Sequence, residues 1–118
     1  MENLKIRAIE LGEPMNSFLS VPSYTIGAFT FDVVNQLLKF QSESTKLTNK
    51  ETYLLVLFAA NANKLIERKY ILSTIWRDDS YLASRTMDVY VCKLRKLLSK
   101  DSTINIINIH GKGYKFLF

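Results

Sequence analysis

The spacing of apolar residues along this chain changes three times, and each change marks a new kind of element. From Ser23 to Thr48 the period is close to two: Tyr24 and Ile26 alternate with Ser23 and Thr25, and Phe29 and Phe31 with Ala28 and Thr30. Turn-forming residues at Asp32 to Asn35 and a polar turn at Gln41 to Ser44 bracket the apolar stretch Leu37 to Phe40. Short alternating runs separated by turns predict an antiparallel meander of three or four strands. Thr48-Asn49-Lys50-Glu51 then opens a helical period. The Thr48 hydroxyl can accept from the amide three residues on, while Glu51 reaches back to cap the turn. Leu54, Leu55, Leu57 and Phe58 follow at helical spacing and predict a first helix over about 49–62. A second, over 67–76, buries Ile71, Leu72, Ile75 and Trp76, and a polar break at Arg77 to Leu82 separates it from a third over 84–99. Strands return over 104–118 around His110-Gly111-Lys112-Gly113, whose two glycines are expected to supply the positive-φ positions of a tight hairpin.

The first 22 residues stand apart. Leu4, Ile6, Ile9 and Leu11 lie among Glu and Lys/Arg and predict a short amphipathic helix stopped by Gly12 and Pro14. Residues 15–22 then read as a linker. So short a helix is marginal in water on its own, which assigns it to a neighbouring domain. The expected organisation is a tail and linker over 1–22 and one α+β domain over 23–118. A length of 118 residues, 47% hydrophobic and 23% charged, allows that domain a core of its own and excludes wholesale disorder.

Charge changes the picture more than composition does. Ser84 to Phe118 holds seven cations and two acids, while the preceding residues hold nine of each, so the whole net charge of +5 lies in the last third. At about 100° per residue, Met87, Tyr90, Val91, Leu94, Leu97 and Leu98 share one face of the third helix, which is its core side. The opposite face carries Arg85, Val89, Cys92, Lys96 and Ser99, flanked by Lys93, Arg95 and Asp88. Cationic helix faces are often merely solvated. This one lacks the interleaved acids of a solvating surface and places Val89 and Cys92 at its centre. It suits a polyanion, and an α-helix fits the major groove of B-DNA, where cations meet guanine acceptors or phosphates and Val89 meets a thymine methyl. The basic hairpin, with His110 and Lys112 near its tip, is placed to reach an adjacent minor groove or the backbone. Strand residues follow its glycines, not a helix, which argues against a phosphate-cradling nucleotide loop.

Other chemistry finds little support. One Cys92 excludes an internal disulfide, and a lone His110 with no cysteine partner makes no metal site, so neither metal nor cofactor is expected. Asp78-Asp79 is a solvated pair in a polar stretch, and no constellation for catalysis assembles; the expected protein is not an enzyme. No apolar run approaches a membrane span and no signal-peptide layout opens the chain, so a cytoplasmic location is expected.

Leu47-Thr48-Asn49-Lys50-Glu51, Ser84-Arg85-Thr86-Met87-Asp88-Val89-Tyr90-Val91, Lys93-Leu94-Arg95-Lys96-Leu97 and His110-Gly111-Lys112-Gly113-Tyr114-Lys115 together resemble the carboxy-terminal effector domain of OmpR/PhoB-type bacterial response regulators. The resemblance covers about residues 24–118. It implies a winged helix-turn-helix: an N-terminal four-stranded antiparallel sheet, three helices and a C-terminal β-hairpin wing. It further implies sequence-specific binding of double-stranded DNA, with Arg85, Val89, Cys92, Lys93 and Lys96 in the major groove, Thr86, Tyr90, Arg95 and Lys115 on phosphates, and His110 and Lys112 in the wing. The loop containing Arg77, Asp78, Asp79, Ser80 and Tyr81 would contact RNA polymerase. Residues 4–9 look like the end of a receiver domain answering to a histidine kinase, and binding to direct-repeat half-sites is the family pattern. His110 stands where the family often has Arg, and Cys92 where many members have a cation, so base preference would differ. A winged-helix module that binds protein instead of DNA, or the DNA-binding domain of a membrane-anchored regulator, remain alternatives.

Overall fold

The computed structural model describes residues 12–118, and the amphipathic helix expected over Leu4 to Leu11 lies outside them. The meander forms as the period-two pattern predicts. Strands β1 (Ser23–Ile26), β2 (Phe29–Asp32), β3 (Leu37–Phe40) and β4 (Glu43–Lys46) pair in sequence order, all antiparallel. Tyr24 lies opposite Phe31, and Phe31 opposite Leu38. Alternation places Ile26, Phe29, Phe31 and Leu38 on the buried side and Thr25 and Thr30 in solvent.

Helix α2 (Asn49–Ala60) begins at the capping box. The Glu51 amide donates to the Thr48 hydroxyl at 3.2 Å and the Thr48 amide to the Glu51 carboxylate at 2.8 Å. Every residue from Thr52 to Phe58 is buried, because the sheet and a preceding helix cover one side of α2 while the later helices and hairpin cover the other. That preceding helix, α1 (Met15–Ser20), is a correction: residues 15–20 are helical where a linker was expected. Pro14 caps this helix instead of breaking it, since a proline before or in a first turn forfeits no intrahelical bond. Met15 is wholly buried, and the Tyr24 hydroxyl donates to the Phe18 carbonyl at 2.8 Å.

Two further elements differ from the expectation. Leu65–Glu67 forms a short strand, β5, absent from the predicted series. It joins the hairpin strands β6 (Asn105–Ile109) and β7 (Gly113–Leu117) in a second sheet of order β5-β7-β6. The second helix is α3 (Arg68–Ile71) followed by a wider π-type turn over Leu72–Trp76, closed by Arg77 in the left-handed region with its amide on the Leu72 carbonyl at 2.7 Å. Glu67 occupies the capping position of α3 without a side-chain bond; the Arg68 amide donates instead to the Lys112 carbonyl of the hairpin at 2.9 Å. Helix α4 (Tyr81–Leu97) completes the set. It buries Met87, Val91 and Leu94 against the common core, with Leu98 just beyond its end. Among the described residues, no helix is long and apolar enough to cross a membrane.

Candidate nucleic-acid interface

Helix α4 starts three residues earlier than its apolar period suggests. Ser80 is its cap, accepting from the Ala83 amide at 3.2 Å, while its own amide donates to Asp78 at 2.9 Å. The expected polymerase-contact loop is therefore shorter than the sequence indicated. Arg77, Asp78, Asp79 and Ser80 precede the helix, whereas Tyr81 belongs to its first turn. Tyr81 and Leu82 are 78% and 75% exposed, which is why they added nothing to the helical period.

Burial divides α4 along the predicted line. Arg85, Val89, Cys92, Lys93, Arg95 and Lys96 are all exposed, with Val89 at 53%. Thr86 and Tyr90 are half-buried at the margin of that face. The Thr86 hydroxyl donates back to the Leu82 carbonyl, and the Tyr90 ring meets the Trp76 indole edge-on at 5.7 Å. The Arg85 guanidinium lies 5.9 Å from the Tyr81 ring centre, and the Lys93 ammonium 4.9 Å from that of Tyr90. Arg95 also braces the wing. Its Nε and Nη2 donate to the Ile106 carbonyl at 3.1 and 2.8 Å, tying the helix to the outer strand of the hairpin. Further N–H donors of its guanidinium remain for another partner.

The one acid of α4, Asp88, does not oppose this field. Arg68 at the head of α3 donates to it at 2.9 Å, and the Tyr114 hydroxyl of β7 donates to its other oxygen at 2.5 Å. The Arg68 Nε also reaches the Ser84 hydroxyl at 3.0 Å. One carboxylate thus joins α3, α4 and the wing and fixes the angle between helix and hairpin. Burial pushes the Tyr114 phenol above its ordinary pKa, and the bond to Asp88 acts in the same direction, so the hydroxyl stays a donor at neutral pH. Nothing local in the sequence announced this group, since Arg68, Asp88 and Tyr114 lie 20 to 46 residues apart. The pair Arg68–Asp88 is only partly buried, so the D88N variant is expected to lose about 1 kcal/mol of stability. Its denaturant midpoint checks this, and a midpoint equal to wild type would deny the latch any weight.

The hairpin corrects the reading of its glycines. Gly111 has the positive φ that the turn needs, at +69°. Gly113 is required for space: a Cβ there would sit 2.0 Å from the Ile66 carbonyl oxygen and 3.0 Å from the Arg68 nitrogen. Its missing side chain lets β7 lie beside β5. His110 and Lys112 are exposed at the tip, and the Lys112 amide closes the turn on the Ile109 carbonyl at 2.8 Å. Lys115 is set apart from the other cations. Strand alternation turns it to the opposite side of β7 from Tyr114, between Leu65 and Ile107 and away from α4. Among the described residues, no cluster of His, Cys, Asp and Glu could hold a metal ion.

Comparison with known proteins agrees with this architecture. Residues 42–116 match the family described as transcriptional regulatory protein, C terminal. The transcriptional regulatory protein RprY of Bacteroides fragilis is 54% identical over 94 residues, covering 80% of this chain and 40% of that protein. The chain thus spans less than half the length of this relative. Among solved structures, the response regulator DrrB of Thermotoga maritima, an OmpR/PhoB homologue, aligns with a TM-score of 0.69 at 27% identity, over 82% of this chain and 45% of its own. The DNA-binding domain of Klebsiella pneumoniae RstA, solved in complex with the RstA box, gives a TM-score of 0.67 at 26% identity, over 80% of this chain and 96% of its own. A four-stranded sheet, a helical core and a winged hairpin, together with these similarities, place the chain in the family of transcriptional regulatory C-terminal domains, the effector domains of OmpR/PhoB-type response regulators.

Proposed function

We propose that this domain binds duplex DNA sequence-specifically to regulate transcription, with α4 in the major groove and the β6–β7 wing on the adjacent minor groove or backbone. The observation that carries the reading is the outer face of α4: four exposed cations surround an exposed Val89 and Cys92, while the single acid is neutralised by Arg68. The complex of the similar RstA domain with its box supports the same use of the fold. Arg85, Val89, Cys92, Lys93 and Lys96 face base edges. Thr86, Tyr90 and Arg95 lie where phosphates would pass, and Lys115, on the far face of the wing, would need backbone that curves around it. His110 and Lys112 serve the wing tip. For the whole protein we further propose a receiver domain under a histidine kinase, direct-repeat half-sites, and RNA polymerase contact through Arg77, Asp78, Asp79, Ser80 and Tyr81. The resemblance to response regulators supports these, as does the exposure of Tyr81.

Selection from a random duplex library is expected to return a defined half-site. On that site Lys93→Ala should lose about 10- to 100-fold in affinity, the roughly 1–3 kcal/mol carried by one good contact to a base. On scrambled duplex the loss should be smaller. Equal affinity of mutant and wild type for the selected site would remove Lys93 from the groove.

A further inference from the structure

The row of cations on α4 continues off that helix. Lys50, in the first turn of α2, holds its ammonium 5.6 Å from the ring centre of Trp76. Trp76 meets Tyr90 edge-on at 5.7 Å, and Lys93 lies 4.9 Å from the Tyr90 ring. Two cations therefore flank a pair of touching rings from the head of α2 to the middle of α4. A lysine free in water samples many rotamers, and seating its ammonium over an indole removes part of the entropy cost of ordering it before any partner arrives. Among the described residues no carboxylate forms an ion pair with Lys50. The acid beside it, Glu51, is committed to the Thr48 amide. The positive end of the α2 dipole adds to the same field.

We propose that Lys50 is a phosphate-binding residue, and that the DNA footprint extends from α4 across Tyr90 and Trp76 to the head of α2. The inference rests on the reading of α4 as a groove-binding helix. Two properties of the surface select duplex DNA as the occupant. The Lys50 end is continuous with the proposed interface through side chains in contact, and its charge complements a polyanion that presents a phosphate about every 3.4 Å along each strand. Lys50 does not read sequence, because a single ammonium over an indole offers no bidentate pattern to a base edge.

The test compares Lys50→Met, which keeps an apolar stem against Trp76, with Lys50→Arg, which keeps the charge. Fluorescence anisotropy would follow the full chain on the selected duplex and on a scrambled one between about 50 and 200 mM salt. The Met variant is expected to weaken both complexes roughly threefold and to flatten the slope of log K against log salt by about 0.9, the value for one phosphate. The Arg variant should restore both, and the thermal midpoint of the Met variant should stay at the wild-type value. An unchanged salt slope in the Met variant, while Lys93→Ala still weakens the selected complex, overturns the Lys50 assignment and leaves the groove reading standing. A loss confined to the selected duplex would put Lys50 on a base and overturns it too. If the wild-type chain retains no duplex, the underlying reading falls first.

Discussion

Replacing Phe116 by Ala is expected to cost about 3–5 kcal/mol of unfolding free energy, the range for deleting a buried aromatic ring from a packed core. Phe116 is fully buried near the end of β7, the middle strand of the wing sheet. Its ring stacks on Phe58 of α2 at 5.6 Å and meets Phe118 edge-on at 5.3 Å. Ile106 lies opposite it on β6, and the Phe116 carbonyl accepts from the Asn63 amide at 2.7 Å. Two of these neighbours cannot close the gap cheaply: Phe58 is fixed within a helix whose residues from Thr52 to Phe58 are all buried, and Ile106 is held by the Arg95 bond to its carbonyl. Against a total stability of about 5–15 kcal/mol for a small domain, the loss removes much of the margin. Urea unfolding followed by far-UV circular dichroism measures it, and a change under about 1 kcal/mol would show that the site collapses around the missing ring. Because Phe116 joins the wing to the helical core, DNA affinity near the unfolding transition should fall with the native population, although no interface residue has changed.

How much could be read from the chain follows the range of each interaction. The Thr48–Glu51 capping box is complete within four residues, so its letters suffice, and it forms as spaced. The meander is legible because neighbouring strands pair in order and one buried face imposes period two on each. The division of α4 into core and groove faces is likewise local, and burial follows it from Met87 to Leu98. The start of α4 was not legible, because exposed Tyr81 and Leu82 spoil the apolar period just where Ser80 caps it. Strand β5 has only three residues and exists because β7 offers it an edge, a partner nearly fifty residues away. Helix α1 was hidden by Pro14, a breaker in the interior of a helix but tolerated at its start. The site shows the same limit. Its exposed cations were visible one by one, while the Arg68–Asp88–Tyr114 latch that aims them needed three separate elements to be brought together.

Gly113→Ala should be nearly as damaging as the loss of a buried ring, through one added methyl. The new Cβ would stand 2.0 Å from the Ile66 carbonyl oxygen, 2.9 Å from its carbon and 3.0 Å from the Arg68 nitrogen. All three are backbone atoms, so no rotamer change relieves the contact. The strands must separate where Glu67 faces Gly113, and the neighbouring pair Ile66–Tyr114 moves with them. Overpacking of a rigid site costs roughly 1–3 kcal/mol and sometimes more, and the absence of a yielding side chain puts this case at about 3 kcal/mol. Two further bonds sit within reach of the shift: the Arg68 amide on the Lys112 carbonyl and the Tyr114 hydroxyl on Asp88. The wing should therefore change its angle to α4 as well as lose stability. Denaturant unfolding would show the first effect. The second would appear on the selected duplex at a temperature where the variant is still folded, as lower selectivity over scrambled DNA while the salt slope stays close to wild type. A variant with wild-type midpoint and wild-type selectivity would mean that β5 and β7 can part freely at Gly113, and that the wing is not held by the fold as its backbone contacts require.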